Sequence, residues 1–445
     1  MNRNSDNDHI LHYVWGADFP KLVRGEGIYL YDVNGKKYID GCSGAVSSSL
    51  RHGRKDMAQA LYDQASTLAY ALRHITTSQV LEEATDKMAE MYGMDRFFLV
   101  SGGTEANEIA TKLARIYWAQ KGKPMKNKVI SRWQSYHGFS TDALSWGGSI
   151  ARRREFIPQL QEEGHIAPPY CYRCWFGKEC GKCDFECANA LETEIRCRGA
   201  ETVAAFICET ISGTTLAGVT PPDGYYKRIR EICDKYDVLF IVDEVLCGSG
   251  RTGKMMAIDH YGVRPDIATM AKSLGGGFFP VGAVACSEKI AEPIRESGHF
   301  SPGYTWAGAP LPAAVISKTM DIFKEENLVE KVQIAGAYMQ KKLLEIQERH
   351  PSMGDVRGIG LMWGIEYVKD KATKESFDPS AKFAATVAEH CKEMGLLICS
   401  CGSLDMGEKG DASWIGPCFE ITTEEIGEML EIYEKAVAQT EKELM

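Results

Sequence analysis

The most informative segment of the chain is Asp266-Ile-Ala-Thr-Met-Ala-Lys-Ser-Leu-Gly-Gly-Gly277. Its first six residues read as a short buried strand, and Lys272 follows that strand directly. A lysine in an apolar setting has a lowered pKa, so its neutral amine can attack a carbonyl group. The glycine run leaves space for a bulky ligand beside the lysine. Taken alone, the segment also fits a surface lysine before a turn.

Two earlier segments support a ligand site. In Ser101-Gly-Gly-Thr-Glu-Ala-Asn-Glu108 a strand meets a helix, and the glycines and free amides of the helix start favour an anion such as phosphate. Val238-Leu-Phe-Ile-Val-Asp-Glu-Val245 is an apolar strand that ends on Asp243, the edge where open α/β sheets bind ligands. Singly, these segments also fit a capped helix start and a strand-end turn.

Together, the three segments predict a site for pyridoxal phosphate. The helix start would take the phosphate, and Asp243 would pair with the protonated ring nitrogen. Lys272 would form a Schiff base with the aldehyde.

The order of patterns along the chain predicts an α/β fold. Between about residues 55 and 315, short apolar runs alternate with amphipathic helices, which indicates a mainly parallel sheet with helices on both faces. The predicted strands include Val129-Ile130, Val203–Cys208, Val238–Val242 and Ile267–Ala271, and the predicted helices include 104–121 and 224–236.

The flanking regions predict a second, smaller α+β domain. Residues 22–40 read as a hairpin that turns at Asn34-Gly35. After Pro312 the patterns predict helices at 312–325, 327–349 and 423–443 and strands at 358–367 and 396–399. We therefore expect three parts: an N-terminal segment that packs with the small domain (1–55), a large cofactor-binding domain (56–315) and the C-terminal small domain (316–445).

Composition narrows the class of protein. The 445 residues are 44% hydrophobic and 25% charged, as in ordinary soluble globular proteins. The net charge of −10 argues against a nucleic-acid partner, because the one basic run, Arg152–Arg154, is short and is followed by Glu155. No apolar stretch reaches the roughly 18–20 residues that span a bilayer, and residues 1–9 lack a signal-peptide pattern. These features predict a cytoplasmic protein without a membrane partner.

The chain resembles class III aminotransferases, which are pyridoxal-phosphate enzymes of fold type I, from about Gly25 to the final helix. The segments that carry the resemblance are Ser101–Glu108, Ser135-Tyr-His-Gly138, Asp243–Gly253, Ala271–Gly277 and Gly303-Tyr-Thr-Trp-Ala-Gly-Ala-Pro310. The resemblance implies that Gly103 and Thr104 bind the phosphate, and that Tyr136 and Val245 lie against the two faces of the ring. It also implies that Asp243 pairs with the ring nitrogen and that Lys272 forms the Schiff base.

The resemblance implies two further contacts. Glu209, in Cys208-Glu-Thr210, matches a glutamate that lies near the substrate in the family. Thr305 matches a residue that reaches the phosphate of the neighbouring subunit. A homodimer with shared active sites is therefore expected.

The chain departs from the family pattern near its C-terminus. Many members carry an arginine there, shortly before a Pro-Pro pair, which grips the substrate carboxylate. That position falls at about Trp414, with Pro417-Cys418 in place of the proline pair. Tryptophan cannot imitate the arginine fork, so we expect an amine that presents no carboxylate at the usual place. The extra residues at 402–411 leave a shifted alignment as the alternative.

A cysteine-rich segment, Cys171–Cys187, holds five of the fifteen cysteines. The pairs Cys171/Cys174 and Cys180/Cys183 have the two-residue gap of zinc or iron–sulfur ligands. The five residues between the pairs are fewer than in common zinc ribbons. Both a metal site and a reduced loop near the entrance of the active site fit this pattern.

The resemblance predicts amino transfer in two stages. An amine or amino acid donor, of the ω- or β-amino kind, would give its amino group to the cofactor, and a keto acid such as pyruvate or 2-oxoglutarate would then receive it. An epimerase or racemase of the same family would use the same lysine. A noncatalytic metal- or redox-sensing protein that uses the cysteines is the alternative from another class.

Overall fold

The computed structural model describes residues 9–16, 19–298, 300 and 302–445. Its strands are β1 (Leu22–Glu26), β2 (Tyr29–Asp32), β3 (Lys37–Asp40), β4 (Arg96–Val100), β5 (Lys128–Arg132), β6 (Gly164–Ile166), β7 (Val203–Glu209), β8 (Leu239–Asp243), β9 (Ile267–Ala271), β10 (Gly282–Cys286), β11 (Met353–Gly358), β12 (Trp363–Tyr367), β13 (Leu396–Leu397), β14 (Cys399–Asp405) and β15 (Lys409–Ile415). Its helices are α1 (Ser43–Val46), α2 (Lys55–Thr67), α3 (Gln79–Tyr92), α4 (Gly103–Gln120), α5 (Thr141–Trp146), α6 (Ile150–Arg153), α7 (Glu186–Arg198), α8 (Tyr225–Lys235), α9 (Glu288–Glu296), α10 (Pro310–Glu325), α11 (Leu328–Arg349), α12 (Phe383–Glu393) and α13 (Thr423–Leu444).

A seven-stranded sheet with the order β4-β10-β9-β8-β7-β5-β6 forms the centre of the molecule. The ladders from β9 through β6 are all parallel, whereas β10 runs antiparallel to both β4 and β9. Strands β7, β8, β9 and β10 are buried at every residue, as expected where helices cover both faces. The predicted α/β architecture with a mainly parallel sheet is confirmed. Parallel strands bring the carboxyl ends of β7, β8 and β9 to one edge.

Strand β10 is absent from the sequence-based prediction. Its segment, Gly282-Ala-Val-Ala-Cys286, is short and made mostly of small residues, so it lacks the β-branched run by which the other strands were recognised. Glycine is required at its start, because a Cβ atom on Gly282 would lie 2.5 Å from the carbonyl oxygen of Gly102.

Two smaller sheets flank the central one. The hairpin predicted at Asn34-Gly35 joins β2 to β3, and β3 pairs in parallel with β13 from the C-terminal half. The other sheet has the order β11-β12-β15-β14. The domain boundaries at 55/56 and 315/316 stay predictions, and residues 1–8, on which part of the signal-peptide argument rests, lie outside the described residues.

Two strand predictions in this region are wrong. Residues 358–367 are not one strand: β11 ends at Gly358 and β12 begins at Trp363, with Gly358 and Gly360 at positive φ angles of 146° and 60° in the turn between them. Residues 396–399 are not one strand either. Strand β13 belongs to the sheet β1-β2-β3-β13, whereas β14 belongs to the sheet β11-β12-β15-β14. Glycine conformation and strand partners, not local hydrophobicity, set these breaks.

The helices follow the predicted positions closely. Helix α13 begins with a capping box, in which the Thr422 side chain accepts from the Glu425 amide and the Glu425 side chain accepts from the Thr422 amide. Pro310 is the first residue of α10, where its missing N–H costs nothing. No helix in the described part of the chain combines the length and the apolar run needed to cross a membrane.

Candidate active site

Asp243 is the last residue of β8, and three donors hold its carboxylate. Asn107 Nδ2 donates to Oδ2 at 2.8 Å, His137 Nδ1 lies 2.8 Å from the same oxygen, and the Val245 amide donates to Oδ1 at 3.0 Å. Only 4% of Asp243 is exposed. Buried donors of this kind stabilise the charged form of a carboxylate.

The donor Asn107 is itself fixed from two sides. Thr269 Oγ1 on β9 donates to Asn107 Oδ1 at 2.7 Å, and Asn107 Nδ2 also donates to the His137 carbonyl at 2.8 Å. The side-chain amide nitrogen of Asn107, on helix α4, therefore faces Asp243 in a single orientation. Neither Asn107 nor His137 was singled out in the sequence, although both lie inside the segments that carry the family resemblance.

Glu209 ends the neighbouring strand β7 and pairs directly with Asp243 across the ladder. Its Oε1 accepts from the Gly213 amide at 3.2 Å, while its buried Oε2 has no hydrogen-bond partner within the described part of the chain. Burial raises the pKa of Glu209, and the negative charge of Asp243 raises it further, against the opposing effects of His137 and Arg132.

Lys272 follows β9 and lies in a short 3-10 turn, residues Lys272–Gly275. Its φ angle of +49° is in the left-handed region, which costs a side-chain-bearing residue about 1–3 kcal/mol and is typical of functional sites. Burial lowers the pKa of its amine, while Asp243 and Glu209 act in the opposite direction. The structure therefore brings Lys272 within electrostatic reach of both carboxylates.

The predicted phosphate-binding residues open helix α4. Gly103 lies against Val245, and a Cβ atom there would be 2.6 Å from Val245 Cγ1. Thr104 lies against Gly138, where a Cβ atom would be 2.5 Å from Thr104 Oγ1. Four backbone amides at a helix start lack intrahelical partners. The glycines allow this close packing, and the free amides of the helix start fit an anion such as phosphate.

Tyr136 lies beside His137 at the same edge of the sheet. The guanidinium carbon of Arg152, on the short helix α6, is 4.2 Å from the centroid of the Tyr136 ring. Arg152 Nη2 also donates to Thr214 Oγ1 at 3.2 Å, in the loop that follows Glu209. The sequence analysis counted Arg152 only as part of a short basic run and missed this placement.

Trp414 lies on β15, paired with Gly364 on β12 and Cys399 on β14. Its side chain has no exposed surface and packs in an apolar cluster that includes Ile211 and Ala217. The extra residues around 402–411 form the β14–β15 hairpin, in which Gly402 pairs with Asp411. The prediction that Trp414 lies near the substrate stays a prediction.

Thr305 lies in a separate cavity of about 560 Å³. The Tyr70 hydroxyl donates to the Thr305 carbonyl at 3.0 Å, and the Tyr70 ring packs edge-on against Trp306. None of the other predicted cofactor-binding residues lines this cavity. Within one chain, Thr305 is therefore not brought to the Asp243–Lys272 region.

The two cysteine pairs that suggested a metal cluster lie together in the structure. The four candidate ligands, Cys171, Cys174, Cys180 and Cys183, are free thiols that line one small cavity together with Cys187. In residues 9–16, 19–298, 300 and 302–445, however, no group of three or more His, Cys, Asp or Glu side chains could hold a metal ion. The metal site suggested by the two-residue gaps stays a prediction.

The pKa values of the cysteines bear on the same question. A metal is bound by the thiolate form of cysteine. Burial raises the pKa of Cys171 to about 12 and that of Cys187 to about 11. Cys180 is exposed. Metal analysis of protein purified without oxygen distinguishes a metal site from a reduced loop.

Comparison with known proteins decides the family. Residues 17–437 match the class III aminotransferase family. The chain belongs to this family. Class III aminotransferases depend on pyridoxal phosphate, which is thus the cofactor of this enzyme, and the glycine-lined helix start, the Asp243 carboxylate and the Lys272 amine fit its three functional groups.

Three similar proteins illustrate the relationship. An uncharacterized aminotransferase of Bacillus subtilis, YodT, is 38% identical over 96% of this chain and 96% of its own length. The putrescine–pyruvate aminotransferase of Pseudomonas aeruginosa is 36% identical over 94% of this chain and 90% of its own. A crystal structure of a thermostable (S)-enantioselective ω-transaminase from Thermomicrobium roseum superposes with a TM-score of 0.88 at 35% identity, covering 98% of this chain and 96% of that one.

Proposed function

We propose that this class III aminotransferase moves an amino group from an ω-amine, a β-amino compound or another amine without the usual α-carboxylate contact to a keto acid such as pyruvate or 2-oxoglutarate. The observation that carries the proposal is Trp414. Trp414 is fully buried on β15, and the family resemblance implies that many members have an arginine at about this position. The names of two similar proteins, a putrescine–pyruvate aminotransferase and an ω-transaminase, support the same donor class.

The proposed roles of the site residues follow from their placement. Gly103 and Thr104 would hold the phosphate, and Tyr136 and Val245 would flank the ring. Asp243, held in place by its three donors, would pair with the protonated ring nitrogen.

The proton transfer itself belongs to Lys272. When bound, the cofactor supplies an electron sink that stabilises negative charge on the substrate carbon. Lys272 Nζ, whose pKa is lowered by burial, would take the proton from that carbon and deliver it on the same face of the site. Glu209 would contact the substrate amine from the adjacent strand end.

A screen of amines against pyruvate and 2-oxoglutarate, with both the carbonyl product and the new amino acid quantified, tests the proposal. Amino transfer gives one amino acid formed for each amine consumed. Epimerisation would instead invert the donor with no amino group passed to the keto acid, and that result would replace the proposal with the alternative of the same family.

The variant Trp414→Arg tests the donor class. We expect the ratio of activity on an α-amino acid to activity on an amine without a carboxylate to rise, because a guanidinium fork would be restored. The ratio is independent of the amount of folded protein, which matters because the position is fully buried. Trp414→Phe is the control, and an unchanged ratio in Trp414→Arg contradicts the assignment.

We also propose a homodimer in which Thr305 serves the phosphate site of the partner. The exposed apolar side chain of Leu72 lines the Thr305 cavity, and exposed Trp306 packs against Tyr70 of the same cavity. Exposed apolar patches mark protein interfaces. Sedimentation should give twice the chain mass, and Thr305→Ala should weaken cofactor retention; a monomer that retains cofactor would contradict the proposal. The cytoplasmic location stays a prediction from the sequence.

A further inference from the structure

The structure places one exposed cation at the active site with no anion to match it among the described residues. We infer that Arg152 binds the carboxylate of the keto-acid acceptor, in place of the arginine that many family members carry at the Trp414 position. This inference rests on the proposed function, since it names the group that recognises the acceptor.

Arg152 bridges two walls of the site. Its guanidinium lies over the Tyr136 ring at 4.2 Å and reaches Thr214, five residues beyond Glu209, at 3.2 Å. Tyr136 adjoins His137, which contacts Asp243. The cation therefore stands between the residue predicted to cover the ring and the loop that follows the second carboxylate.

The guanidinium of Arg152 lacks a charged partner. Within the part of the chain that the structure describes, no Asp or Glu oxygen lies within 4 Å of it, and its one side-chain hydrogen bond goes to a neutral hydroxyl. Its side chain is exposed, so it can rotate toward a ligand. Arginine presents five donors in a fork that matches a carboxylate in two parallel hydrogen bonds.

The other guanidinium groups near Lys272 cannot take this role. Arg132 is fully buried and donates to the Glu209 carbonyl. Arg251 is fully buried and donates to the Leu361 and Pro417 carbonyls. Both are held by backbone groups. Arg152 is close enough for its charge to contribute to the lowered pKa of Lys272, after the larger effect of burial.

The test compares two acceptors of equal length, pyruvate and propanal, of which only pyruvate has a carboxylate. In the holoenzyme with a saturating primary amine as donor, Arg152→Gln should raise the KM for pyruvate by roughly tenfold or more, the effect of one lost charge-assisted hydrogen bond. The KM for propanal should stay within about twofold. Arg152→Lys should restore charge but only part of the affinity, because lysine lacks the fork.

Arg153→Gln is the matched control. Arg153 lies on the same short helix, but its guanidinium packs over Trp133 at 5.2 Å and contacts His165 at 3.2 Å. The control should change neither KM. Equal losses with both acceptors in Arg152→Gln, or no loss with pyruvate, would overturn the inference.

A binding measurement separates this inference from the proposed function. Calorimetric titration of the holoenzyme with propionate, which cannot react, should give a Kd that rises by roughly tenfold in Arg152→Gln. If the unaltered enzyme transfers no amino group to either acceptor, the proposed function fails while the propionate titration still decides the role of Arg152. Equal propionate affinity in the two proteins refutes it.

Discussion

Asp243 and Glu209 stand side by side at the ends of β8 and β7, yet their surroundings are opposite. Asp243 is contacted by three donors, at 2.8, 2.8 and 3.0 Å. Glu209 has one long contact from the Gly213 amide and a buried oxygen without a partner inside the described residues. The two carboxylates are direct partners in the ladder, so their different environments come from the elements packed above the sheet.

The comparison teaches that hydrogen-bond donors, not burial, distinguish the surroundings of the two carboxylates. Both groups are less than 10% exposed. Burial raises the pKa of Glu209, whose one donor among the described residues is the Gly213 amide, whereas donors to a buried carboxylate compensate for its lost hydration. A carboxylate held by three donors beside one with a free oxygen is the arrangement expected where one group holds a cofactor and the other meets a changing substrate.

The largest effect should come from removing the amine that faces both carboxylates. Lys272→Ala should lower the amino-transfer rate by about 10⁴-fold or more, because the base and the covalent anchor are lost together. Borohydride reduction of the holoenzyme followed by peptide mapping should label Lys272 in the unaltered protein. Lys435→Ala, on the exposed face of α13, is the control, and retained labelling in Lys272→Ala would contradict the assignment.

Neutralising the fixed carboxylate should rank second. Asp243→Asn should lower kcat by about 10²–10³-fold, since a neutral amide cannot hold the proton on the ring nitrogen. Steady-state kinetics at saturating amine measures the effect. Asp259→Asn, which removes a partly exposed carboxylate from the 3-10 segment 257–261, should leave kcat unchanged; comparable losses in both variants would point to general destabilisation.

Removing one donor sharpens the comparison. Asn107→Ala deletes the 2.8 Å contact to Asp243 and should lower kcat/KM by about tenfold, the worth of one hydrogen bond to a charged group. Asn189→Ala, at a site that binds Arg228 far from the sheet edge, is the control. If Asn107→Ala has full activity, the three-donor account of Asp243 is wrong.

The smallest effect should appear in stability. Folding raises the pKa of Glu209. The stabilising contribution of Glu209 to the free energy of unfolding is therefore fully present below the ordinary glutamate pKa of about 4.3, and it is lost as pH rises through the raised value. Glu209→Gln cannot ionise, so cofactor-free Glu209→Gln should gain thermal stability relative to the unaltered protein between pH 5 and pH 8. The control variant Glu431→Gln, exposed on α13, should not gain thermal stability. A pH-independent difference between Glu209→Gln and the unaltered protein would refute the explanation.

Local sequence patterns were sufficient to predict features that depend only on neighbouring residues in the chain. Lys272 and Asp243 were identified because each ends an apolar strand, and the hairpin at Asn34-Gly35 because its turn residues lie between alternating strands. Local patterns failed at residues 358–367, where a glycine turn interrupts an apolar run. They failed again at β10, whose small residues gain their burial only from β4 and β9.

The sequence by itself determined the family, the parallel sheet and the lysine and aspartate at its carboxyl edge, because these depend on residue order within short segments. Only the tertiary structure decided which side chains surround them. Asn107 and His137 contact Asp243 from 136 and 106 residues away along the chain. Arg152 comes to the site because helix α6 places its guanidinium over the Tyr136 ring. Hydrogen bonds and charge act over a few ångströms in space, and only the packed sheet and helices set those distances.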